Sequence, residues 1–500
     1  MPVRLFSILI FTLSAMVASI VSAGEIEFPR LAKTPYPAQH GNPRNSDAVP
    51  FSSPTELKLK WKALEDSSIV QGCTTDRGQL YCVLGWDKKD RCNLIALDER
   101  DGSTLWEDRV NGECILDEFA SLTNPTIDTE GNLYINDSEK IVSFTSDGQV
   151  RWINNTPATL PSRKGLPNAP FGMVLLANGN LATATMGDGW VLFLDGKTGE
   201  LIKEPFDLPA EKRNPQAVNR VLIPDTRPDG FMENLMSQSA SQMLWDFAFG
   251  ESDYETDNNV AIAEKHQLMI IASGAPYPNT DNVGALWAVD FSGDKPKVAF
   301  YVELPVEGGI ATSPTLSKDN SIALIGDNEQ NLVVVDIESC LAEADGSACS
   351  HYSMHPLGHD LTSSVILTDE NRLIIPAGHT GYAAYDLKKD TNGAIQINPL
   401  WQTRLAWLPI GISVHLAFDN VVWIPFYHMG RQQTFIVALD IESGEEVARY
   451  ESGDAANVTM ASDGKTIIAQ NLSFIESAFK GRVGLDVKGG VWAWEPVTEN

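Results

Sequence analysis

The chain has 500 residues, of which 43% are hydrophobic and 21% are charged. Disordered chains are poorer in apolar residues, so this composition predicts a folded protein with a large core. The formal net charge is −29 at pH 7. Such an acidic chain repels phosphate backbones and anionic lipid head groups, which disfavours nucleic-acid partners.

The N-terminus has the pattern of a cleaved export signal. Arg4 precedes an apolar run from Leu5 to Val21, and Val21 and Ala23 are the small residues expected at a cleavage site. An uncleaved membrane anchor is the alternative, but the run is at the short limit for crossing a bilayer. We therefore predict a signal peptide at 1–23, a periplasmic or secreted mature protein, and no membrane span after cleavage.

A strand followed by a tight turn and a second strand recurs along the chain. The clearest copy is 94–106, in which Leu-Ile-Ala-Leu-Asp precedes a turn and Ser-Thr-Leu-Trp follows it. Strands of the same kind end at seven later positions: Thr145, Asp195, Asp290, Asp336, Asp386, Asp440 and Glu495. The spacing is roughly 50 residues, with one interval of about 95, and another pair of β-like runs precedes most copies. Eight copies of four strands predict an all-β fold, an eight-bladed β-propeller.

Both ends of the chain are predicted to contribute to the last blade. The eighth copy, at 491–496, has no fourth strand after it, whereas 56–63 has strand character and no earlier partner. We expect this N-terminal strand to close the last blade, because closure removes exposed sheet edges. The predicted domains are an extension at 24–53 and a propeller at 54–500.

The long interval predicts an insertion at about 208–259, between blades 3 and 4. Residues 231–247 have apolar side chains at helical spacing, with Gly230 before them and Gly250 after them. This helix either packs on the blade surface or covers a ligand. The acidic run at 251–257 lacks the spacing of a calcium-binding loop and is interpreted as a solvated loop.

The first repeat resembles a known signature. Ala96, Asp98, Gly102 and Trp106 have the spacing Ala-x-Asp-x-x-x-Gly-x-x-x-Trp of the PQQ-like repeat propellers, the quinoprotein alcohol dehydrogenase-like superfamily. The resemblance covers about residues 54–500 and implies that the Trp docks between neighbouring blades. Three further residues look like the same position in other blades: Trp61, Trp152 and Trp401. A shared fold does not by itself define a function, which depends on the site.

The six cysteines are predicted to form structural disulfides, because an exported chain meets an oxidising compartment. Local pairing is the simplest of fifteen connectivities. The predicted pairs are Cys73–Cys82, Cys92–Cys114 and Cys340–Cys349. A redox role is the alternative, but the sequence contains no Cys-x-x-Cys.

Polar residues at the starts of inner strands converge on the central funnel of a propeller. In this chain they are Thr123, Asn124, Thr312, Ser313, Asp360, Thr362, Ser363, Ser364 and His415. They are the predicted small-ligand site. The alternative is that they hydrogen-bond backbone groups of the inner ring or hold channel water.

The remaining histidines give no strong metal signal. His351, His355 and His359 are spaced by four, which would place them on one face of a helix and suit a metal ion. However, a proline and a glycine follow His355, so a solvated loop is favoured and no metal site is predicted. His379 and His428 are isolated.

Two functions compete. The first is a monomeric, exported binding or scaffold protein for a protein or small ligand. The second is implied by the family resemblance: a PQQ-dependent dehydrogenase that oxidises an alcohol or sugar, with calcium as a cofactor and Asp360 as the base. A hydrolase or lyase that uses histidines is a third option, supported only by their number.

Two comparisons within the superfamily favour the scaffold. Quinoprotein dehydrogenases typically carry an adjacent Cys-Cys pair beside the quinone, and this chain has none. The propeller subunit of the bacterial outer-membrane β-barrel assembly machinery is a binding scaffold of the same superfamily. No cysteine follows the signal of the present chain to carry a lipid anchor, which argues against equating the two.

Overall fold

In the computed structural model, the chain forms eight blades arranged in a ring, each built on a four-stranded antiparallel path. The eight-bladed β-propeller predicted from the repeats is therefore confirmed. The structure describes residues 28–497 except 88–90, 163–166, 210–257, 274–283, 305–311, 327–330, 344–345, 358–363, 378–380, 391–393, 405–407, 410–414, 429–430, 432 and 473–488.

The first four blades follow the chain in order, each from its inner to its outer strand, after the closing strand β1 (Leu57–Ala63). Blade 1 consists of β2 (Ser67–Asp76), β3 (Gln79–Asp87), β4 (Leu94–Asp98) and β5 (Thr104–Glu107). A small hairpin follows, β6 (Arg109–Val110) and β7 (Glu113–Cys114). Blade 2 consists of β8 (Thr126–Ile127), β9 (Leu133–Asn136), β10 (Ile141–Phe144) and β11 (Val150–Asn154). Blade 3 consists of β12 (Val174–Leu175), β13 (Leu181–Ala184), β14 (Trp190–Leu194) and β15 (Phe206–Asp207). Blade 4 consists of β16 (Ala261–Ala263), β17 (Leu268–Ser273), β18 (Gly284–Asp290) and β19 (Lys297–Leu304).

The last four blades continue the pattern. Blade 5 consists of β20 (Thr315–Leu316), β21 (Ile322–Gly326), β22 (Asn331–Asp336) and β24 (Tyr352–Pro356), while β23 (Ser347–Ala348) adds a parallel fifth strand to blade 4. Blade 6 consists of β25 (Ile366–Leu367), β26 (Arg372–Pro376), β27 (Gly381–Lys389) and β28 (Ile395–Arg404). Blade 7 consists of β29 (Leu408–Pro409), β30 (Leu416–Ala417), β31 (Val421–His428), β32 (Gln433–Asp440) and β33 (Glu446–Glu451). Blade 8 consists of β34 (Ala455–Met460), β35 (Ile467–Asn471), β36 (Gly490–Pro496) and β1.

Helix is scarce in the described part of the chain. It is limited to α1 (Thr156–Thr159), α2 (Ile337–Leu341) and two 3-10 turns at Glu118–Leu122 and Glu264–His266. None of these is long and apolar enough to cross a membrane. The predicted insertion helix at 231–247 lies outside the described residues.

The hydrophobic core lies between adjacent blades. Middle strands such as β4 and β22 are almost continuous apolar runs, because neighbouring blades cover both of their faces. Outer strands such as β28 alternate between half-buried and exposed side chains, because only one face meets the next blade. The core between blades 1 and 2 illustrates the arrangement, since Tyr81 of one blade and Phe144 of the next share one buried cluster.

The tryptophans of the signature dock between blades, as the family resemblance implies. Each indole lies on an outer strand and donates its Nε1 hydrogen to a backbone carbonyl in the next blade. The pairs are Trp61 to Glu99 (3.0 Å), Trp106 to Ser146 (2.9 Å), Trp152 to Gly196 (3.2 Å) and Trp401 to Ile441 (3.0 Å). The signature therefore acts as a latch between consecutive blades.

The glycine of each signature makes room for the tryptophan of the preceding blade. Gly199 has a φ of +73°, and a Cβ atom there would lie 2.4 Å from the Trp152 ring. We expect Gly199→Ala to lower the free energy of unfolding, measured in urea, by about 2–3 kcal/mol, because a clash adds to left-handed backbone strain. Gly464 has a φ of +67° and no atom within 4 Å of the corresponding Cβ position. Gly464→Ala is the control, with an expected loss of about 1 kcal/mol. Equal losses in both variants would contradict the latch.

The predicted closure of the ring is confirmed, because β1 pairs antiparallel with β36 and so joins the two chain ends. Glu99 adds a polar contact at the boundary between blades 8 and 1, which we call the terminal seam. Its carboxylate accepts hydrogen bonds from the Ser462 backbone N–H (2.8 Å) and hydroxyl (2.6 Å). Burial raises the pKa of Glu99 from 4.5 to about 7, against the opposing effect of the Ser462 hydrogen bonds.

Because of this raised pKa, the contribution of the terminal seam to the free energy of unfolding depends on pH. Since the folded-state pKa exceeds the unfolded one, the folded protein holds the proton between pH 4.5 and 7. The resulting stabilisation is complete below pH 4.5 and is lost as the pH rises through 7. The wild type is expected to lose free energy of unfolding between pH 5 and 8 in urea titrations. Glu99→Gln should make this loss smaller by about 2 kcal/mol, because the variant lacks the titrating carboxyl. The exposed Glu130→Gln is the control and should keep the wild-type slope, whereas an unchanged slope in Glu99→Gln would refute the assignment.

All three predicted disulfides are present: Cys73–Cys82, Cys92–Cys114 and Cys340–Cys349. The first lies in a hairpin whose two-residue turn, Arg77-Gly78, has positive φ at both positions, so the two cysteines face each other across β2 and β3. No cysteine remains free. Two bridges fasten blade 1 and the segment that follows it, and the third closes the loop between β22 and β24 of blade 5.

Candidate functional site

An N-terminal segment, residues 28–53, lies across the inner strands of the propeller, and we call it the N-terminal plug. Its backbone carbonyls accept hydrogen bonds from inner-strand N–H groups in several blades. The pairs are Thr75 to Tyr36, Ile127 to Pro37, Ile262 to Pro43, Leu316 to Arg44, Leu367 to Ser46 and Ala417 to Asp47, all between 2.7 and 2.9 Å. Blades 1, 2, 4, 5, 6 and 7 are thereby bonded to one short segment.

The plug carries polar side chains that are almost fully buried. Asn45, 1% exposed, donates from Nδ2 to the carbonyl oxygens of Val260 (3.1 Å) and Pro314 (2.9 Å). His40, Asn45 and Asp47 have φ values between 50° and 55°, which turn the chain tightly inside the ring. Buried polar groups require partners. The inner strands supply them for Asn45 Nδ2, whereas Asn45 Oδ1 and the Tyr36 hydroxyl have no hydrogen-bond partner among the described residues.

The centre of the plug contains a hydrogen-bonded histidine, aspartate and serine. His40 Nδ1 lies 2.8 Å from Asp47 Oδ2, and His40 Nε2 lies 3.1 Å from Ser313 Oγ of blade 5. Exposure is 4% for His40 and 1% for each of the other two. Burial raises the pKa of Asp47, while the charge and hydrogen bond of His40 oppose that rise.

The order of these groups is that of a nucleophile with its base and orienting carboxylate. The surroundings favour a structural role. Ser313 Oγ accepts a hydrogen bond from the Asn259 backbone N–H (3.2 Å). The Ser313 backbone N–H donates to Ser364 Oγ (3.3 Å), so this N–H is not available to stabilise an oxyanion. With all three side chains buried, the triad anchors the plug to blade 5.

The structure places six of the nine predicted funnel residues in the inner ring. Ser313 and Ser364 are brought together by the hydrogen bond above, and Ser313 also contacts the plug. Thr312 Oγ1 accepts the Gly326 N–H (2.8 Å). Asn124 Nδ2 donates to the Gln71 carbonyl (3.3 Å).

The other funnel residues are bonded in the same way or lie outside the description. Thr123 Oγ1 donates to the Ala120 carbonyl (3.2 Å), and His415 Nδ1 is hydrogen-bonded to the Tyr382 hydroxyl. The contacts seen are thus internal, and binding of a ligand by these residues stays a prediction. Three predicted residues lie outside the described part of the chain: Asp360, Thr362 and Ser363.

One of the three histidines in 351–359 lies on a strand, where the sequence predicted a loop. The loop interpretation is wrong for His355, because it lies on β24, the outer strand of blade 5, and pairs with Leu332. His351 lies just before that strand, 3.3 Å from Glu343 at the surface. His359, His379 and the acidic run at 251–257 lie outside the described residues.

The catalytic alternative implied a quinone and calcium, with Asp360, which lies outside the described residues, as the base. No three His, Cys, Asp or Glu side chains among them lie close enough to share a metal ion. The carboxylate at the centre of the plug, Asp47, is already paired with His40. We therefore derive no catalytic step through such a cofactor.

Part of the chain matches a known protein family in sequence. Residues 55–200 match the profile of the family described as outer membrane protein assembly factor BamB. The match spans the closing strand, blades 1 and 2 and most of blade 3, and it includes the first signature. No curated protein matches the sequence.

Solved structures resemble the chain at low sequence identity. BamB from Moraxella catarrhalis has 12% identity and a TM-score of 0.47, with 89% of this chain and 99% of that chain covered. The C-terminal WD40 domain of Sif2 has 9% identity and a TM-score of 0.49, with 89% and 99% covered. Dihydro-heme d1 dehydrogenase NirN has 11% identity and a TM-score of 0.46, with 76% and 66% covered. The strand pairing of the chain itself, and not these likenesses, defines its fold.

Proposed function

Since the chain is a β-propeller of the PQQ-like repeat type, we propose that it is an exported scaffold that binds a protein partner. The proposal rests on the hydrogen bonds made by the polar side chains of the plug and of the inner strands. Many of them hydrogen-bond to the chain's own N-terminal plug or to one another, as Ser313 Oγ with His40 Nε2 and Asn45 Nδ2 with the Pro314 carbonyl illustrate. Groups committed to internal bonds stabilise a rigid body, which is what a scaffold requires.

Two further observations support this role. The family matched by residues 55–200 is described as an outer membrane protein assembly factor, and such a factor acts on other proteins. Three disulfides support export, because such bonds persist in oxidising compartments such as the periplasm.

Photo-crosslinking in the native host tests the proposal. A benzoylphenylalanine is placed singly at Ser52 on the plug, Leu400 on β28 or Val447 on β33, the last two being 46% and 49% exposed. We expect a discrete adduct of one defined protein at one position and none at the others. Diffuse adducts at all three, or none, would refute a specific scaffold.

A second measurement separates the scaffold from the dehydrogenase. The purified mature protein is mixed with PQQ and calcium, and bound-cofactor absorbance and dye reduction with an alcohol panel are recorded. We expect neither. Stoichiometric binding with turnover would overturn the scaffold and restore the dehydrogenase hypothesis.

A further inference from the structure

A pocket opens where the N-terminal plug meets the turns of blades 6 and 7. Its volume is about 100 Å³. The plug lines it with aromatic and proline side chains: Phe28, Pro35, Pro37, Pro50 and Phe51. Small-molecule pockets have volumes of roughly 300–1,000 Å³, and a water molecule occupies about 30 Å³. The cavity therefore suits one side chain better than a cofactor.

Three carboxylates surround this pocket. Asp369 is paired with Arg44 (2.8 Å) and Lys318 (2.9 Å), so its charge is compensated. Glu370 and Asp419, both exposed, form no ion pair with any residue in the described part of the chain. Partial desolvation at the pocket wall and the negative charges of Glu370 and Asp369 raise the pKa of Asp419. The pocket thus retains a negative potential that a cation would relieve.

The molecule already holds one guanidinium at this place. Arg44, 5% exposed, lies 5.8 Å from the centre of the Phe28 ring and is bonded to Asp369. An aromatic ring combined with a carboxylate is a favourable setting for a guanidinium. Phe51 and Asp419 line the same pocket and are joined by a backbone hydrogen bond of 3.0 Å, so they supply a second ring and a second carboxylate.

We propose that this pocket docks one lysine or arginine side chain of a partner protein, an inference that rests on the proposed scaffold function. The aliphatic stem would pack against Pro50 and Phe51, while the charged head pairs with Glu370 and Asp419. The net charge of −29 would steer a basic partner towards the chain.

Peptides that differ in one residue test the inference. All six native cysteines are in disulfides, so Ser52→Cys, on the plug beside Phe51, takes a single fluorescent label as a binding reporter. The probes are acetyl-Gly-Ser-X-Ser-Gly-amide peptides in which X is Arg, Lys, Leu or Glu. We expect the Arg or Lys peptide to bind at least tenfold more tightly than the Leu and Glu peptides, and added salt to weaken that binding. Equal binding of the Leu peptide would overturn the proposal.

A charge-matched pair of variants locates the site. We expect Glu370→Gln combined with Asp419→Asn to weaken binding of the Arg or Lys peptide at least fivefold. Glu65→Gln combined with Glu130→Gln removes the same charge from exposed turns outside the pocket and should change binding less than twofold. Equal weakening in both pairs would refute the site and leave only long-range attraction.

Binding of free n-butylamine distinguishes two possible occupants of the pocket, a side chain of a protein and a small free amine. Binding as tight as that of the Lys peptide would assign the pocket to a free amine and overturn the protein partner as its occupant. Failure of the peptides together with a discrete photo-crosslink would reject this pocket while the scaffold stands. Failure of the photo-crosslinks would reject the scaffold itself.

Discussion

Asp47→Ala is expected to lower the free energy of unfolding by about 3 kcal/mol and to loosen the N-terminal plug. Asp47 is 1% exposed and holds His40 Nδ1 at 2.8 Å, so its loss leaves a buried imidazole without its acceptor. The imidazole in turn contacts Ser313, through which the plug is fastened to blade 5. Urea unfolding measures the stability, and hydrogen exchange of residues 28–53 measures the loosening of the plug.

Two controls make this expectation specific. Asp147→Ala removes an exposed carboxylate from a turn of blade 2 and should cost less than about 0.5 kcal/mol. His40→Ala should cost nearly as much as Asp47→Ala, and the double variant should cost clearly less than the sum, because both changes break one interaction. Additive losses, or unchanged exchange of the plug, would show that the pair does not anchor it.

The blades could be predicted because their signals are local and repeated. Five of the Asp side chains that end the repeated strands accept backbone N–H groups two or three residues later, as where Asp195 Oδ1 accepts the N–H groups of Lys197 and Thr198. The strand that precedes the turn recurs eight times, and six of the copies end in Asp, so errors in single copies do not alter the fold predicted for the whole chain. The Cys73–Cys82 pairing follows equally locally from the turn between its two strands.

The plug could not be predicted in this way. Its partners are inner-strand groups of six blades, and Asp47 bonds to Ala417, some 370 residues away along the chain. No period in 28–53 points to these groups, which come together only once the ring is closed. The one available signal is compositional, since turn-forming residues crowd into 40–47 beside a histidine and an aspartate. His355 illustrates a related limit, because its outer strand has four half-buried residues followed by one exposed residue, without the alternation that would mark it as a strand in sequence.

Trp61→Ala is expected to produce the largest single loss of stability, about 4 kcal/mol. Its indole is 9% exposed, packs in the core shared by blades 8 and 1, and lies against Gly102. It also donates to the Glu99 carbonyl, so it fastens the strand that joins the two chain ends. Urea unfolding measures the loss, and hydrogen exchange reports whether β1 and β36 separate first.

Trp401→Ala is the matched control because it removes the same latch from an internal seam. Trp401 lies against Gly444 and donates to Ile441, just as Trp61 lies against Gly102 and donates to Glu99. Blades 6 and 7 remain joined by the chain itself, whereas blades 8 and 1 are held closed by the pairing of β1 with β36. We therefore expect Trp61→Ala to cost about 1 kcal/mol more than Trp401→Ala, since opening the terminal seam also releases loop-closure entropy. Equal losses, with exchange no faster at β1 than at β28, would mean that the ring does not depend on its terminal seam.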